Sequence, residues 1–320
     1  ARVSLDKARE QVAELISAKP DEIVFTSGGS ESNNLAILGV AFAPKNEKKH
    51  IVTCVVEHAA ILNPLEQLET LGFHIDYVKV DNSGRVDPKN VENALTESTL
   101  LVTIQHANSE VGTLQNIHEI GKIVKKRGIL FHSDAVQSVG KIPVNVNELN
   151  VDLLSFSSHK IYGPKGVGAL FIKQGTPALF SLVCGGGQEK KRRGGTENVP
   201  GIIGFGKACQ IALERITSGK FNGLERLRDR LQGEIGKLIP NVEYFGCSKN
   251  RLPNTLSCGF EGVNGEALFI ALDMEGISVS TGSACSSGTG VPSKVLSAME
   301  LPLSKIISSL RFSLGWENTI

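Results

Sequence analysis

The sequence predicts an α/β fold, a mostly parallel sheet with helices on both faces, followed by a smaller α+β region. Three observations carry this. Short β-rich runs alternate with amphipathic stretches through the first two-thirds of the chain, Gly- and Pro-rich turns punctuate them, and the pattern changes after a break near residue 218.

Ile23-Val24-Phe25 is the first strand, and Ile51 to Cys54, Ile75 to Val78, Leu100 to Ile104 and Ile129 to His132 continue the series. Ser30 to Val40, Ala59 to Thr70 and Asn116 to Lys126 read as the helices between them. Val151 to Ser155 and Val167 to Ile172 flank a Gly/Pro-rich turn and add two strands. A long helix, Ile202 to Ile216, follows Val199-Pro200-Gly201. The interruption Ser218-Gly219-Lys220-Phe221-Asn222-Gly223 divides a large region, 1–217, from a small one, 218–320. In the latter, Leu224 to Leu238 and Gly265 to Asp273 read as helices and Thr255 to Gly259 as a strand. There is no internal repeat and no low-complexity tract.

At 320 residues the chain has room for two domains and a core that needs no staple. Lys+Arg number 34 and Asp+Glu 33, a balance that argues against a nucleic-acid or membrane surface. The one basic cluster, Lys190 to Arg193, has no interleaved aromatics and reads as a solvated loop. The six cysteines are scattered, with no CxxC pair, and no histidine cluster completes a zinc site, so no metal is expected. Scattered thiols point to a reducing compartment, the cytosol. No apolar run approaches a membrane span and no signal peptide is visible.

The chemistry gathers at predicted strand ends. Ser155 to Lys160 ends a strand and enters a turn closed by Gly163-Pro164-Lys165-Gly166. A lysine there points into the crevice where α/β sheets bind ligands, and can be desolvated to form a Schiff base with an aldehyde cofactor. Asp134 ends another strand, where a carboxylate suits a protonated pyridine nitrogen, and Gln137 is placed to donate to a ring oxygen. Thr26-Ser27-Gly28-Gly29-Ser30-Glu31 joins a strand to a helix; it reads equally as a phosphate cradle or as an ordinary N-cap, and it lacks the ending of a nucleotide P-loop. His58, at a strand-to-helix turn, is suited to stack on a ring and relay protons.

These segments, with Ser157 to Gly166, Gly185-Gly186-Gly187-Gln188-Glu189, Gly195-Thr196-Glu197-Asn198 and Ser283-Ala284-Cys285, resemble the cysteine desulfurase (NifS/IscS-like) family, within the class-V aminotransferase group of pyridoxal-phosphate (PLP) enzymes of fold type I. The match covers nearly the whole chain in the family's order. The resemblance implies a seven-stranded-type sheet, PLP carried on Lys160, Asp134 paired with the pyridine nitrogen, Gln137 on the ring oxygen and His58 stacked on the ring. It implies a phosphate held by Gly29, Ser30, Ser157 and His159, with Thr196 supplied by the second subunit of a homodimer. Asn108 would lie beside the substrate, L-cysteine, and Arg311 would clamp its carboxylate.

Cys285 lies in Thr281 to Gly290, a Gly/Ser/Thr-rich stretch that reads as a mobile loop, and the resemblance makes it the sulfur acceptor, whereas Cys54 or Cys209 better fits a small buried thiol. The implied reaction takes sulfur from L-cysteine, with Lys160, alone or with His58, moving the Cα proton and Cys285 holding a persulfide. Alanine leaves, and sulfur passes to an acceptor protein such as an iron–sulfur scaffold or a thiolation relay. Two other readings stay open: a selenocysteine or cystine lyase, and a non-catalytic sulfur-relay subunit. Ser109 stands where many relatives carry a second Asn, a change expected to loosen that loop. The sequence also lacks the family's opening strand and its helix after Arg311, which fits either a shortened sequence or a reduced variant.

Overall fold

In a computed structural model, residues 1–44, 46–219, 221–281 and 292–320 are described. Cys285, expected to accept sulfur, falls in 282–291 and lies outside the described residues.

Along the chain run α1 (Arg2–Leu15), β1 (Ile23–Thr26), α2 (Gly29–Ala41), β2 (His50–Cys54), α3 (Ala59–Thr70) and β3 (His74–Val78). Then come α4 (Pro88–Ala94), β4 (Thr99–Thr103), α5 (Ile117–Lys126), β5 (Leu130–Asp134), α6 (Val146–Leu149), β6 (Leu153–Ser157), β7 (Gly168–Ile172) and α7 (Val199–Thr217). The remainder holds α8 (Phe221–Leu238), β8 (Val242–Phe245), β9 (Thr255–Phe260), α9 (Gly265–Met274) and β10 (Ser280–Thr281). After residue 291 follow α10 (Lys294–Ala298), α11 (Leu303–Ile307) and β11 (Ser309–Ser313).

The larger sheet has seven strands in the order β1-β7-β6-β5-β4-β2-β3. Strands β3, β2, β4, β5 and β6 pair in parallel, while β7 is antiparallel to both neighbours. Because β1 reverses β7, which itself reverses β6, β1 points the same way as the parallel set. The C-terminal ends of β1, β2, β4, β5 and β6 therefore share one edge, where ligands of open α/β sheets bind.

Successive residues of the parallel strands face opposite layers. Ile51, Leu101 and Leu153 pack with α2 and α3, whereas Val52, Val102 and Leu154 pack in the layer that includes α1, α5 and α7. Burial on both faces is why these strands read as continuous apolar runs. Strand β6 ends at Ser157, two residues beyond the predicted stretch, which carries Ser157 to the edge. A four-stranded antiparallel sheet, β10-β11-β9-β8, forms the smaller layer around Cys258, Phe260 and Leu310. Its strands were mostly illegible because β8, β10 and β11 are short or half-exposed and lack a clean alternation.

Helix α1 is held to the sheet by Arg9. Its guanidinium donates to Glu189 Oε1 at 2.6 Å and Oε2 at 2.9 Å and to the Ile23 carbonyl at 2.8 Å, and it lies over the Phe25 ring. Glu189 is buried and also accepts the Phe25 N–H. Arg9→Ala leaves that carboxylate buried without its cation, and should destabilise the protein by about 3–5 kcal/mol, read as a large fall in the denaturation midpoint against wild type.

Candidate active site

At the C-terminal edge of the large sheet lies a cavity of about 320 Å³. Gly29, Ser30, His58, Asp134, Gln137, Ser157, His159, Lys160 and Arg311 all line it. These residues come from separate parts of the sequence; the common strand direction brings all but Arg311 to one edge, and Arg311 reaches the cavity from β11 of the small sheet.

Helix α2 begins at this edge with no side chain capping its N-terminus. Its first amides therefore stay available to an anion, and the helix dipole favours one there. A β-carbon on Gly29 would stand 2.7 Å from Val136 Cγ2, so only glycine fits. Behind it, a β-carbon on Gly168 would stand 2.7 Å from Gly28 Cα, so β7 and the cradle meet backbone to backbone. Opposite, Ser157 Oγ and His159 Nδ1 stand 2.9 Å apart, and burial, with Lys160 and Lys165, holds the His159 ring below its usual pKa.

Lys160 sits on a single 3₁₀ turn, Ser158–Ile161, directly after β6. Tyr162 ends that turn in the left-handed region at φ 66°, and the Gly163 N–H returns to the Ser158 carbonyl at 3.0 Å. Lys160 is half-buried at the cavity wall.

Asp134 is 8% exposed at the end of β5. Its Oδ1 accepts the Val136 N–H at 2.9 Å and its Oδ2 accepts Asn33 Nδ2 at 2.7 Å. Burial raises the Asp134 pKa, and these two bonds with the nearby His58 and Lys160 offset only part of that rise. Gln137 Oε1 accepts from Lys141 Nζ at 2.9 Å, which leaves the amide N–H groups as what Gln137 offers the cavity. Crowding by protein atoms, then Lys160 and Arg311, brings the Lys141 amine down to about 7.

His58 is the N-cap of α3, and its Nδ1 accepts the Ala60 N–H at 3.0 Å. With Nδ1 accepting, the neutral ring carries its proton on Nε2. The turn bearing it is tied to the loop after β4, because Gln105 Nε2 and Asn108 Nδ2 donate to the Val56 carbonyl at 2.6 and 3.2 Å. Arg311, on β11, donates through Nη1 to the Ser109 carbonyl at 2.9 Å and through Nη2 to Ser280 Oγ at 3.0 Å. Glu110 shares the wall, held by the Ser293 hydroxyl, and burial pushes its carboxyl to about 7.

Two expected site residues do not line this chain's cavity, one of them Thr196, which was expected to serve a second subunit. Asn108 is buried and does not line the cavity. Its Oδ1 accepts the Glu110 and Val111 N–H groups at 2.8 and 3.0 Å, so it shapes the loop whose Ala107, Ser109 and Glu110 face the cavity. Those bonds also pin the loop that Ser109 was expected to loosen. Thr196 is exposed and lies outside this chain's cavity. Sequence reasoning missed Asn33, Glu110 and Lys141, whose identities carry no signal until the fold sets their neighbours. Glu57 was missed as well. Its buried carboxyl accepts the Gln105 N–H at 2.6 Å and the Cys54 thiol at 3.1 Å, and burial raises it to about 8.

The whole chain, residues 1–320, matches the family described as Aminotransferase class-V. It is 52% identical over 318 residues to the cysteine desulfurase IscS of Dictyoglomus turgidum, covering 99% of this chain and 80% of that protein. It is 49% identical over 307 residues to a cysteine desulfurase of Nostoc sp., covering 96% and 76%. Among solved structures, a NifS-like protein superposes with a TM-score of 0.92 at 39% identity, covering 99% of this chain and 84% of that one. SspA in complex with cysteine superposes with a TM-score of 0.83 at 38% identity, covering 98% and 86%.

The buried acid gives a pH test. Glu57 titrates near 8 in the folded protein and near 4.5 unfolded, so between these values the folded state binds the extra proton. Stability carried by that proton is lost as pH rises through this window. Glu57→Gln, a neutral near-isostere, should lessen the fall in denaturation midpoint between pH 5 and 8; an unchanged slope would place the charge elsewhere.

Proposed function

The chain belongs to the class-V aminotransferase family, and from that premise we propose that it is a PLP-dependent cysteine desulfurase, converting L-cysteine to L-alanine and a protein-bound persulfide. One observation carries the reading: Lys160, the buried carboxylate of Asp134, the uncapped amides of α2 and the guanidinium of Arg311 converge on one cavity.

The residues fit the cofactor. The α2 amides at Gly29 and Ser30, with Ser157 and His159, suit a phosphate dianion. Asp134 suits a protonated pyridine nitrogen, which would compensate its buried charge, and Gln137 offers N–H donors to a ring oxygen. His58 stands at the wall where a ring would stack. When bound, pyridoxal phosphate supplies an aldehyde that an amine can engage and a ring that withdraws electrons from the bonds at Cα.

In this reading Arg311 receives the substrate carboxylate bidentately, its guanidinium already braced by Ser109 and Ser280. Lys160 Nζ takes the Cα proton and returns it. His58 lines the same cavity, and its committed Nδ1 leaves Nε2 as the nitrogen that can act. We assign the sulfur acceptor to Cys285. Among the described cysteines none lines the cavity, and burial raises the thiols of Cys54, Cys209 and Cys258, the last to about 12, which disfavours the nucleophilic thiolate. The Cys285 thiolate attacks the substrate sulfur; the new S–S bond takes the place of the C–S bond, whose electron pair stays with the carbon skeleton, and Cβ takes up a proton equivalent to the one the thiol gave up before alanine leaves. A sulfur-accepting protein such as an iron–sulfur scaffold then takes the persulfide sulfur.

Thr196 would complete the phosphate site of a second copy in a homodimer, a role consistent with its exposure. Among the described residues no helix is long and apolar enough to cross a membrane, and the described cysteines are all free, which suits a reducing cytoplasm.

Two substitutions separate the halves of the reaction. Lys160→Ala should abolish alanine formation, a loss of at least about 10³-fold, with the fold intact by circular dichroism. Near-normal alanine production would remove Lys160 from the mechanism. Cys285→Ser should still show the visible spectral change on adding L-cysteine while forming neither alanine nor persulfide, since a serine hydroxyl stays protonated at neutral pH. Desulfuration by the serine variant at the wild-type rate would instead favour direct elimination of sulfide.

A further inference from the structure

We propose that His50, His74 and Asp76 bind a divalent transition-metal ion of the zinc class at the edge of the large sheet opposite the cavity. His50 and His74 open β2 and β3 and are register partners on these parallel strands, so both rings leave the same face. The rings stack with centroids 5.3 Å apart and planes 26° apart. Two residues on, Asp76 returns to that face, with Oδ2 3.2 Å from His50 Nε2 and Oδ1 3.3 Å from His74 Nε2.

The three ligand atoms lie within 4.8 Å of one another. Ligands of a tetrahedral zinc ion, bonded at about 2.0–2.1 Å, stand about 3.4 Å apart. The remaining closure falls to His74, whose side chain is 75% exposed and has room to turn. Water from that open side takes the fourth position. Two imidazoles and a carboxylate favour zinc, nickel or cobalt over calcium or magnesium, which prefer oxygen.

His50 is prepared for this role from behind. It is buried, and its Nδ1 lies 2.8 Å from Thr99 Oγ1 and 3.1 Å from Thr96 Oγ1. With an ion on Nε2 the ring's proton moves to Nδ1 and is donated to Thr99 Oγ1, the outer-shell arrangement typical of ligating histidines. Nearby lysines turn to other partners: Lys48 Nζ donates to the Thr99 carbonyl at 3.3 Å, and Lys49 Nζ lies over the Phe73 ring.

The absence of a metal site expected from the sequence rested on linear spacing, and parallel register is what joins residues 50 and 74. An ion here ties the first residue of the edge strand β3 to β2. The test titrates zinc chloride calorimetrically into the full-length PLP-loaded protein, as wild type, His74→Ala and Asp76→Asn. Wild type should take up one more equivalent than either variant; thiol-bound zinc is common to all three and cancels. At about 100-fold excess over Kd the ion should also raise the wild-type Tm by roughly 4 °C more than it raises either variant's. Equal stoichiometry and equal Tm shifts in the three proteins would overturn the site and leave a hydrogen-bonded His–Asp–His clip.

Discussion

A carboxylate kept out of water at the end of β5 is the constraint around which the site is arranged. Asp134 is too buried to hold its charge cheaply, so its surroundings must supply donors and positive charge. Asn33 reaches it from α2, Val136 from its own turn, and the charges of His58 and Lys160 lie near. Each comes from a different part of the sheet edge: the first turns of α2, the turn after β5, the N-cap of α3 and the turn after β6. Meeting the needs of one oxygen pair therefore fixes the start of α2, the N-cap of α3 and the turn after β6 relative to one another. The same requirement explains why a protonated ring nitrogen suits this place better than a neutral ligand.

Much of this was legible in the residues. The strand and helix runs of the large sheet stand where periodicity put them, because strands buried on both faces announce themselves as apolar runs. Lys160, Asp134, His58 and the Gly28–Gly29 turn were visible because each ends a strand, and strand ends of one direction meet. Partnerships were not legible. Asn33 and Asp134 are 101 residues apart, and nothing local to either names the other. Nor was it legible that the Asn108 side chain ties its own loop to the turn before α3, bonding the Glu110 and Val111 N–H groups and the Val56 carbonyl. Glu57 and Lys141 are ordinary charged residues in sequence, and only their folded surroundings make them unusual: burial first, with Asp134 beside Glu57 and with Lys160 and Arg311 beside Lys141.

The smaller sheet contributes through Arg311 on β11, which reaches over to the Ser109 carbonyl of the large-sheet loop. That bond ties the position of the guanidinium to the loop that Asn108 shapes, so the cation and the cavity wall move as one. Glu110, two residues beyond Asn108, adds a carboxyl whose partner, Ser293, caps α10. The cavity thus draws on both sheets, and its geometry depends on the small sheet being seated.

Part of the floor beneath the α2 cradle is main chain, where Gly168 meets Gly28, and Gly29 faces the Val136 side chain without a β-carbon of its own. Main-chain amides do not titrate, oxidise or change rotamer. An anion held chiefly by them is gripped with the same geometry in acid and in mild alkali, so the acidity of the medium reaches this pocket through its side chains and through the anion's own ionisation.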